Sequence, residues 1–261
     1  MKDIFKSNLQ KYADPTQYDA LHELYQDDLL YIMEHASEIQ SPIIDLACGT
    51  GRVTIPLSKQ GLHVIGVDLH EGMLNRARKK AADAHLQIRF EQQDCTELDL
   101  QIKSPLIYMT GNSFQHFLTN ESQDALLQSV GRHLEPGGEF VFDTRNPILA
   151  ELSVVDISET VEVINGKRIE GKHTETYDHS TQVLHCVTEK IWKEEGVTLG
   201  TEKESISLRY TYPMELKRLL EAHGFEQVHL FGTWKKGAFA EDSPQMIVHC
   251  RKRSKPNKHI N

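Results

Sequence analysis

The stretch from residue 43 to residue 59 constrains the fold of this chain more than any other. Ile43-Ile-Asp-Leu46 is a short apolar, β-branched run suited to a buried strand, and Val53 to Lys59 reads as a helix that stops near Gly61. Between them the loop Asp45-Leu-Ala-Cys-Gly-Thr-Gly51 carries Gly49 and Gly51. A strand that feeds a helix through such a loop opens a parallel βα unit. Residues without Cβ also let backbone N–H groups come close to a ligand. The spacing is G-x-G, with Thr54 where a dinucleotide fingerprint has its third glycine. Asp45, just ahead of the loop, would repel a pyrophosphate but suits a ligand that carries an ammonium group. Both features count against a nicotinamide cofactor.

The same alternation continues to about residue 147. His63-Val-Ile-Gly-Val-Asp68 is a second strand, and Met73, Leu74, Ala77 and Ala81 recur at helical spacing behind it. Leu86 to Phe90 alternates as a third strand, and Leu106 to Met109 is a short fourth. Leu126, Leu127, Val130 and Leu134 mark a helix closed by Pro136-Gly-Gly138, and Glu139 to Asp143 is a fifth strand. Beyond Pro147 the chain turns to alternating, Thr-rich sequence with turns at Asn165-Gly166 and Glu195-Gly196, so residues 155–211 read as antiparallel strands. A helix from Pro213 to Ala222 and strands at Gln227 to Phe231 and Gln245 to Arg251 follow.

The fold class expected is therefore α/β: a doubly wound, Rossmann-like, seven-stranded and mainly parallel sheet in the order 3-2-1-4-5-7-6, with an antiparallel β lobe inserted after the fifth strand. Residues 1–150 would form an N-terminal lid helix and the cofactor-binding core, 151–211 the lobe over the carboxyl ends of the strands, and 212–261 the rest of the sheet with a basic tail.

The chain has 261 residues and a formal net charge of -9, which disfavours nucleic acid as a partner, since phosphate contacts need clustered positive charge. The tail from Arg251 to Lys258 holds five basic residues and is the local exception. No run approaches the ~18 apolar residues of a membrane span, and the N-terminus shows no secretory pattern, so the expected location is the cytoplasm. Cys48, Cys95, Cys186 and Cys250 lie far apart, and no His cluster has metal-ligand spacing, so no metal is expected. His173, His179 and His185 read as surface residues.

Four stretches together, Ile43 to Arg52, Val64 to Leu74, Gln93-Asp-Cys95 and Leu134 to Asp143, resemble class I S-adenosylmethionine-dependent methyltransferases, in particular small-molecule members of the glycine and aminosugar N-methyltransferase kind. The resemblance implies that Asp45, Gly49 and Gly51 surround the methionine moiety of S-adenosyl-L-methionine, that Asp68 holds the ribose, and that Asp94 with the Cys95 backbone reads the adenine amino group. Ala47, Arg52 and Leu69 are further expected cofactor-binding residues. Ala47 departs from the pattern, which commonly has glycine there; a methyl group is tolerable if its backbone stays at negative φ. Asp14 to Asp19 looks like the lid segment of such enzymes, and Tyr18 is the expected contact to the sulfonium cation. Thr110 and Asn112 belong to the stretch that borders donor and acceptor.

Methyl transfer is an in-line displacement, so alignment and exclusion of water are the main demands. His116 is the candidate general base, needed if the acceptor arrives protonated. Asp143, Arg145 and Asn146 are candidates to line the acceptor pocket, and Arg145 could hold a carboxylate. Trp192, Tyr210, Trp234 and Phe239 are candidates for an aromatic acceptor wall, and Gly237 to Met246 resembles a loop of small-molecule N-methyltransferases. The function expected is N- or O-methylation of a small molecule. The alternatives are an RNA or protein methyltransferase, or a non-catalytic protein that binds the cofactor. Neither the acceptor nor the oligomeric state is written in the sequence.

Overall fold

The computed structural model describes residues 8–152, 155–164 and 167–254. Strands β1 (Ile43–Leu46), β2 (Val64–Asp68), β3 (Arg89–Gln92), β4 (Ser104–Met109), β5 (Leu134–Arg145), β10 (Phe225–Phe231) and β11 (Gln245–Lys252) form one seven-stranded sheet in the order β10-β11-β5-β4-β1-β2-β3. Only β11 runs against its neighbours. Counted within this sheet, the order is the 3-2-1-4-5-7-6 expected.

Four further strands, β6 (Asp156–Ile164), β7 (Lys167–Asp178), β8 (Val183–Glu194) and β9 (Val197–Arg209), make a separate antiparallel meander between β5 and the last core helix. The turn at Glu195-Gly196 takes positive φ at both residues, 48° and 82°, as a tight hairpin requires. The turn expected at Asn165-Gly166 lies outside the described residues, as does the end of the basic tail.

Helix α1 (Pro15–His22) lies against α4 (Glu71–Asp83), which packs on the sheet together with α2 (Asp27–Ala36), α3 (Thr54–Lys59), α5 (Asn120–His133) and α6 (Pro213–Ala222). Their ends follow local chemistry. Asp14 caps α1 by accepting from the backbone of Thr16 and Gln17 ahead of Pro15, and Thr119 with Ser122 forms a capping box on α5. The main core joins Phe114, Phe117, Phe140, Phe142, Leu126, Leu127 and Met246 on one side of the sheet; Tyr31, Ile32, Leu57, Tyr108 and Trp234 fill the other.

Two boundaries differ from the sequence reading. Leu86 does not begin β3: its N–H bonds back to Ala81 and His85 sits at φ 57°, so these residues still close α4. Pro136-Gly-Gly138 does not end a helix either. Helix α5 stops at His133, and the tripeptide is a bulge inside β5, where pairing jumps from Ser104 with Leu134 to Leu106 with Glu139. No helix among the described residues is long and apolar enough to cross a membrane.

Candidate functional site

Two adjoining cavities open at the carboxyl ends of β1, β2, β4 and β5. The first is walled by Ala47, Gly49, Asp68, Leu69, Asp94 and His116, with Cys95 and Ser113 nearby. The second, a cavity of about 460 Å³, is walled by Tyr25, Arg52, Asn112, Asp143, Lys190 and Glu204. Tyr12, Tyr18 and Gly111 line both. The second cavity takes its floor from the core sheet and part of its roof from β8 and β9 of the lobe.

In the first cavity Gly49 takes φ +55°, and a Cβ there would stand 3.3 Å from the Met73 methyl and 3.9 Å from the Tyr18 ring. Its N–H donates to Asp68 Oδ2 at 2.8 Å, and the His70 N–H donates to Oδ1 at 2.8 Å. The turn after β2 and the glycine loop are thus tied to one carboxyl group, whose pKa burial pushes up. Asp94 accepts from the Thr96 N–H at 2.9 Å and the Thr96 hydroxyl at 2.7 Å; both bonds fall on Oδ1, which leaves Oδ2 to a ligand. Ala47 corrects the expectation made for it. It takes φ 55°, in the left-handed region, where a Cβ costs about 1–2 kcal/mol. The loop accepts that strain at a residue lining the cavity.

Asp45, expected beside the ligand, lies behind the loop instead, fully buried, where it accepts the Thr54 hydroxyl. Burial pushes its pKa up to about 7. Gly51 also stays out of the first cavity; it takes φ +78°, and a Cβ there would press on Ile55 at 3.0 Å. Arg52 faces the second cavity and pairs with the buried Asp28, Nη1 donating to Oδ1 at 2.8 Å. Asn112 faces the second cavity too, at φ 57°, and its N–H donates to Asp143 Oδ1 at 2.9 Å. Thr110 lines neither; its carbonyl accepts the Ser113 hydroxyl at 2.7 Å.

His116 is enclosed by a network that links distant parts of the chain. The Asn8 amide donates to His116 Nδ1 at 2.9 Å and to the Ser207 carbonyl at 2.7 Å, while its Oδ1 accepts the Ser207 N–H at 2.8 Å. With Nδ1 accepting, the neutral ring carries its proton on Nε2, which lies 2.9 Å from Tyr12 Oη. The Tyr12 hydroxyl is then free to donate toward the cavity. Burial lowers the His116 pKa to about 4, so the ring is neutral and weakly basic. Neither nitrogen is presented to an acceptor. Asn8 and Ser207 escaped sequence reasoning, and no local signal marks either.

The expected aromatic acceptor wall does not form. Trp234 sits in the core beside Tyr31, Tyr210 packs with Tyr177 and Leu184, Phe239 leans on the main core, and Trp192 lies on the lobe away from both cavities. Asn146 ties down the late loop by donating to the carbonyls of Glu241 and Ser243, each at 2.9 Å, and Arg145 is exposed. Among the candidates after β4, Asp143 alone joins Asn112 in the second cavity. His173, read as a surface residue, is half-buried. Its Nε2 lies 3.1 Å from Glu175 Oε1 two residues along β7, and the pairing of β7 with β8 sets Cys186 opposite Glu175 with Sγ 3.7 Å from the same oxygen, a trio with the donor types of a metal site.

A seven-stranded doubly wound sheet with a single reversed strand, a strained glycine loop after β1 and carboxylates after β2 and β3 define the class I methyltransferase architecture. Residues 43–138 match the model of the methyltransferase domain family. Among curated proteins, the chain is 31% identical over 116 residues to the dTDP-3-amino-3,4,6-trideoxy-alpha-D-glucopyranose N,N-dimethyltransferase of Streptomyces venezuelae, covering 44% of this chain and 47% of that one. The chain spans about half the length of the curated relatives it matches. Among solved structures, an S-adenosylmethionine-dependent methyltransferase from Clostridium acetobutylicum ATCC 824 superposes with a TM-score of 0.76 at 18% identity, over 94% of this chain and 99% of that one. The CcbJ methyltransferase of Streptomyces caelestis superposes with a TM-score of 0.73 at 25% identity, over 87% and 94%.

Proposed function

We propose that this chain is an S-adenosylmethionine-dependent methyltransferase that transfers a methyl group to the nitrogen or oxygen of a small molecule. The observation that carries the reading is the pair of cavities with a common wall: a donor held in the first can present its methyl group past Tyr12, Tyr18 and Gly111 to an acceptor in the second. The residues present fit the cofactor. Gly49 leaves room for its amino-acid end, Asp68 and Asp94 offer carboxylate oxygens to ribose hydroxyls and an adenine amino group, and the Tyr18 face suits a sulfonium. Bound there, S-adenosylmethionine supplies the electrophilic methyl carbon.

The chain's own residues do the rest. Tyr12, held by His116, closes the donor cavity from the N-terminal side, and the lobe excludes water from the acceptor side. The second cavity lies within the range of small-molecule sites, roughly 300–1,000 Å³, and is too confined for a nucleic-acid duplex. The net charge of -9 points the same way. The S. venezuelae relative is named for an aminosugar substrate, which agrees with a small acceptor.

Calorimetric titration with S-adenosylmethionine and S-adenosylhomocysteine, with NAD as control, tests the reading. Binding of the first two alone supports it; binding of none, or of NAD, overturns it. Asp68→Ala is expected to weaken S-adenosylhomocysteine binding by about 1–3 kcal/mol, roughly 5- to 150-fold, because it removes a charged acceptor and frees the Gly49 and His70 N–H groups it holds. An unchanged affinity would show that the ribose lies elsewhere.

A further inference from the structure

Among the described residues, the second cavity has one buried carboxyl group without a counter-ion. Asp143 is 1% exposed, faces the cavity, and accepts a hydrogen bond through Oδ1 from the Asn112 backbone N–H at 2.9 Å, with the Trp234 side chain as a second, neutral neighbour that favours its ionised form. No Lys, Arg or His among the described residues forms an ion pair with it. Of the cations lining the cavity, Arg52 is held by Asp28 through both guanidinium branches, Lys11 at the mouth pairs with Glu204 at 3.1 Å, and Lys190 on the lobe wall makes no ion pair with Asp143. A buried carboxylate with no partner costs several kcal/mol, and a chain keeps one where a ligand or a proton completes it. Asp143 is also well placed for chemistry. It stands at the carboxyl end of β5, bonded to the residue that follows Gly111, and Gly111 belongs to the wall shared with the donor cavity.

From this geometry we infer that Asp143 binds the ammonium group of a cationic amine acceptor and takes its proton, so that the methylated atom is nitrogen. The inference rests on the methyltransferase reading and narrows it. An ammonium nitrogen has no lone pair to offer. Transfer of one proton from the acceptor nitrogen to the Asp143 carboxylate leaves a neutral amine, whose lone pair forms the new N–C bond. The C–S bond to the donor sulfur breaks with its electron pair, giving a thioether and an N-methylated ammonium product. Burial pushes the Asp143 carboxyl up to about 7, far closer to an amine than an ordinary carboxylate stands. Its environment therefore suits the proton it would receive, whereas His116 has both ring nitrogens occupied.

The probe is sinefungin, an analogue of the donor in which a carbon bearing an ammonium group replaces the methylsulfonium, so that its charge points where the acceptor nitrogen would meet the methyl carbon. S-adenosylhomocysteine, which lacks that charge, is the control. In the wild-type chain sinefungin is expected to bind more tightly than S-adenosylhomocysteine. In Asp143→Asn, which keeps an oxygen for the Asn112 N–H, sinefungin should weaken by at least about tenfold while S-adenosylhomocysteine stays within about twofold. Asp143→Ser should do the same and covers the case in which the Asn variant does not fold. An unchanged ratio of the two affinities, or wild-type binding of sinefungin no tighter than the control, overturns the inference and leaves the methyltransferase reading intact. Failure of the wild type to bind either nucleoside overturns both.

Discussion

Replacing Arg52 with methionine is expected to lower the unfolding free energy by about 3–5 kcal/mol, because it leaves a carboxylate buried without its partner. Asp28 is 0% exposed, and the guanidinium meets both of its oxygens while Nη1 also donates to the Tyr25 carbonyl at 2.8 Å. Such a pair is not necessarily a large net gain over an apolar alternative, since bringing both charges out of water is costly. Breaking it from one side is another matter. The retained Asp28 must then stay charged in the core or take up a proton. Urea denaturation monitored by circular dichroism measures the difference, and pairing Arg52→Met with Asp28→Leu should recover a substantial part of it. A loss below about 1 kcal/mol would mean that water reaches Asp28 and that the pair behaves as a surface one.

The second large effect is expected from Phe142→Ala, at about 3–5 kcal/mol for an aromatic ring removed from a packed core. Phe142 is 0% exposed and packs between Phe140 and Phe114, each with ring centroids 4.8 Å away. Its consequence reaches the site. Phe114 belongs to the short 3-10 turn Ser113–His116, so the cavity left behind loosens the turn that positions Ser113 and His116. Stability and S-adenosylhomocysteine affinity should fall together in this variant. If the unfolding energy falls by the stated amount and the affinity does not move, the turn is held by its own hydrogen bonds and not by the aromatic stack.

The parts of the fold legible in the sequence are those written in short-range pattern. The glycine loop, the acids closing β2 and β3, the helical spacing behind β2 and the tight turn at Glu195-Gly196 each depend on residues a few positions apart. Gly49, Asp68, Leu69, Asp94, Cys95 and Tyr18 all reach the cavities. What was not legible depends on distance or on backbone angle. Asn8 meets Ser207 across 199 positions, and Arg52 meets Asp28 across 24, with no motif to announce either contact. Ala47 looked safe because alanine normally avoids positive φ, yet the loop forces it there. Asp45 looked like a ligand residue because it precedes the glycines, but a strand residue points alternately to either face, and this one turns inward to Thr54. His173 and Glu175 stand two apart on β7, but Cys186 joins them only through the register of β8, which no local spacing announces.

The N-terminal segment that carries Asn8, Lys11 and Tyr12 is fastened to β9 by the Asn8 amide and by Lys11 with Glu204, and Tyr12 and Tyr18 form the partition between the two cavities. Partition and roof are therefore tied to one another. Neither ligand can settle without bearing on the surface that the other needs, and thermodynamic reciprocity then requires each to change the affinity of the other by the same factor. Donor and acceptor would be linked ligands, and the lobe, though it touches only one of them, would set the terms on which both arrive and leave.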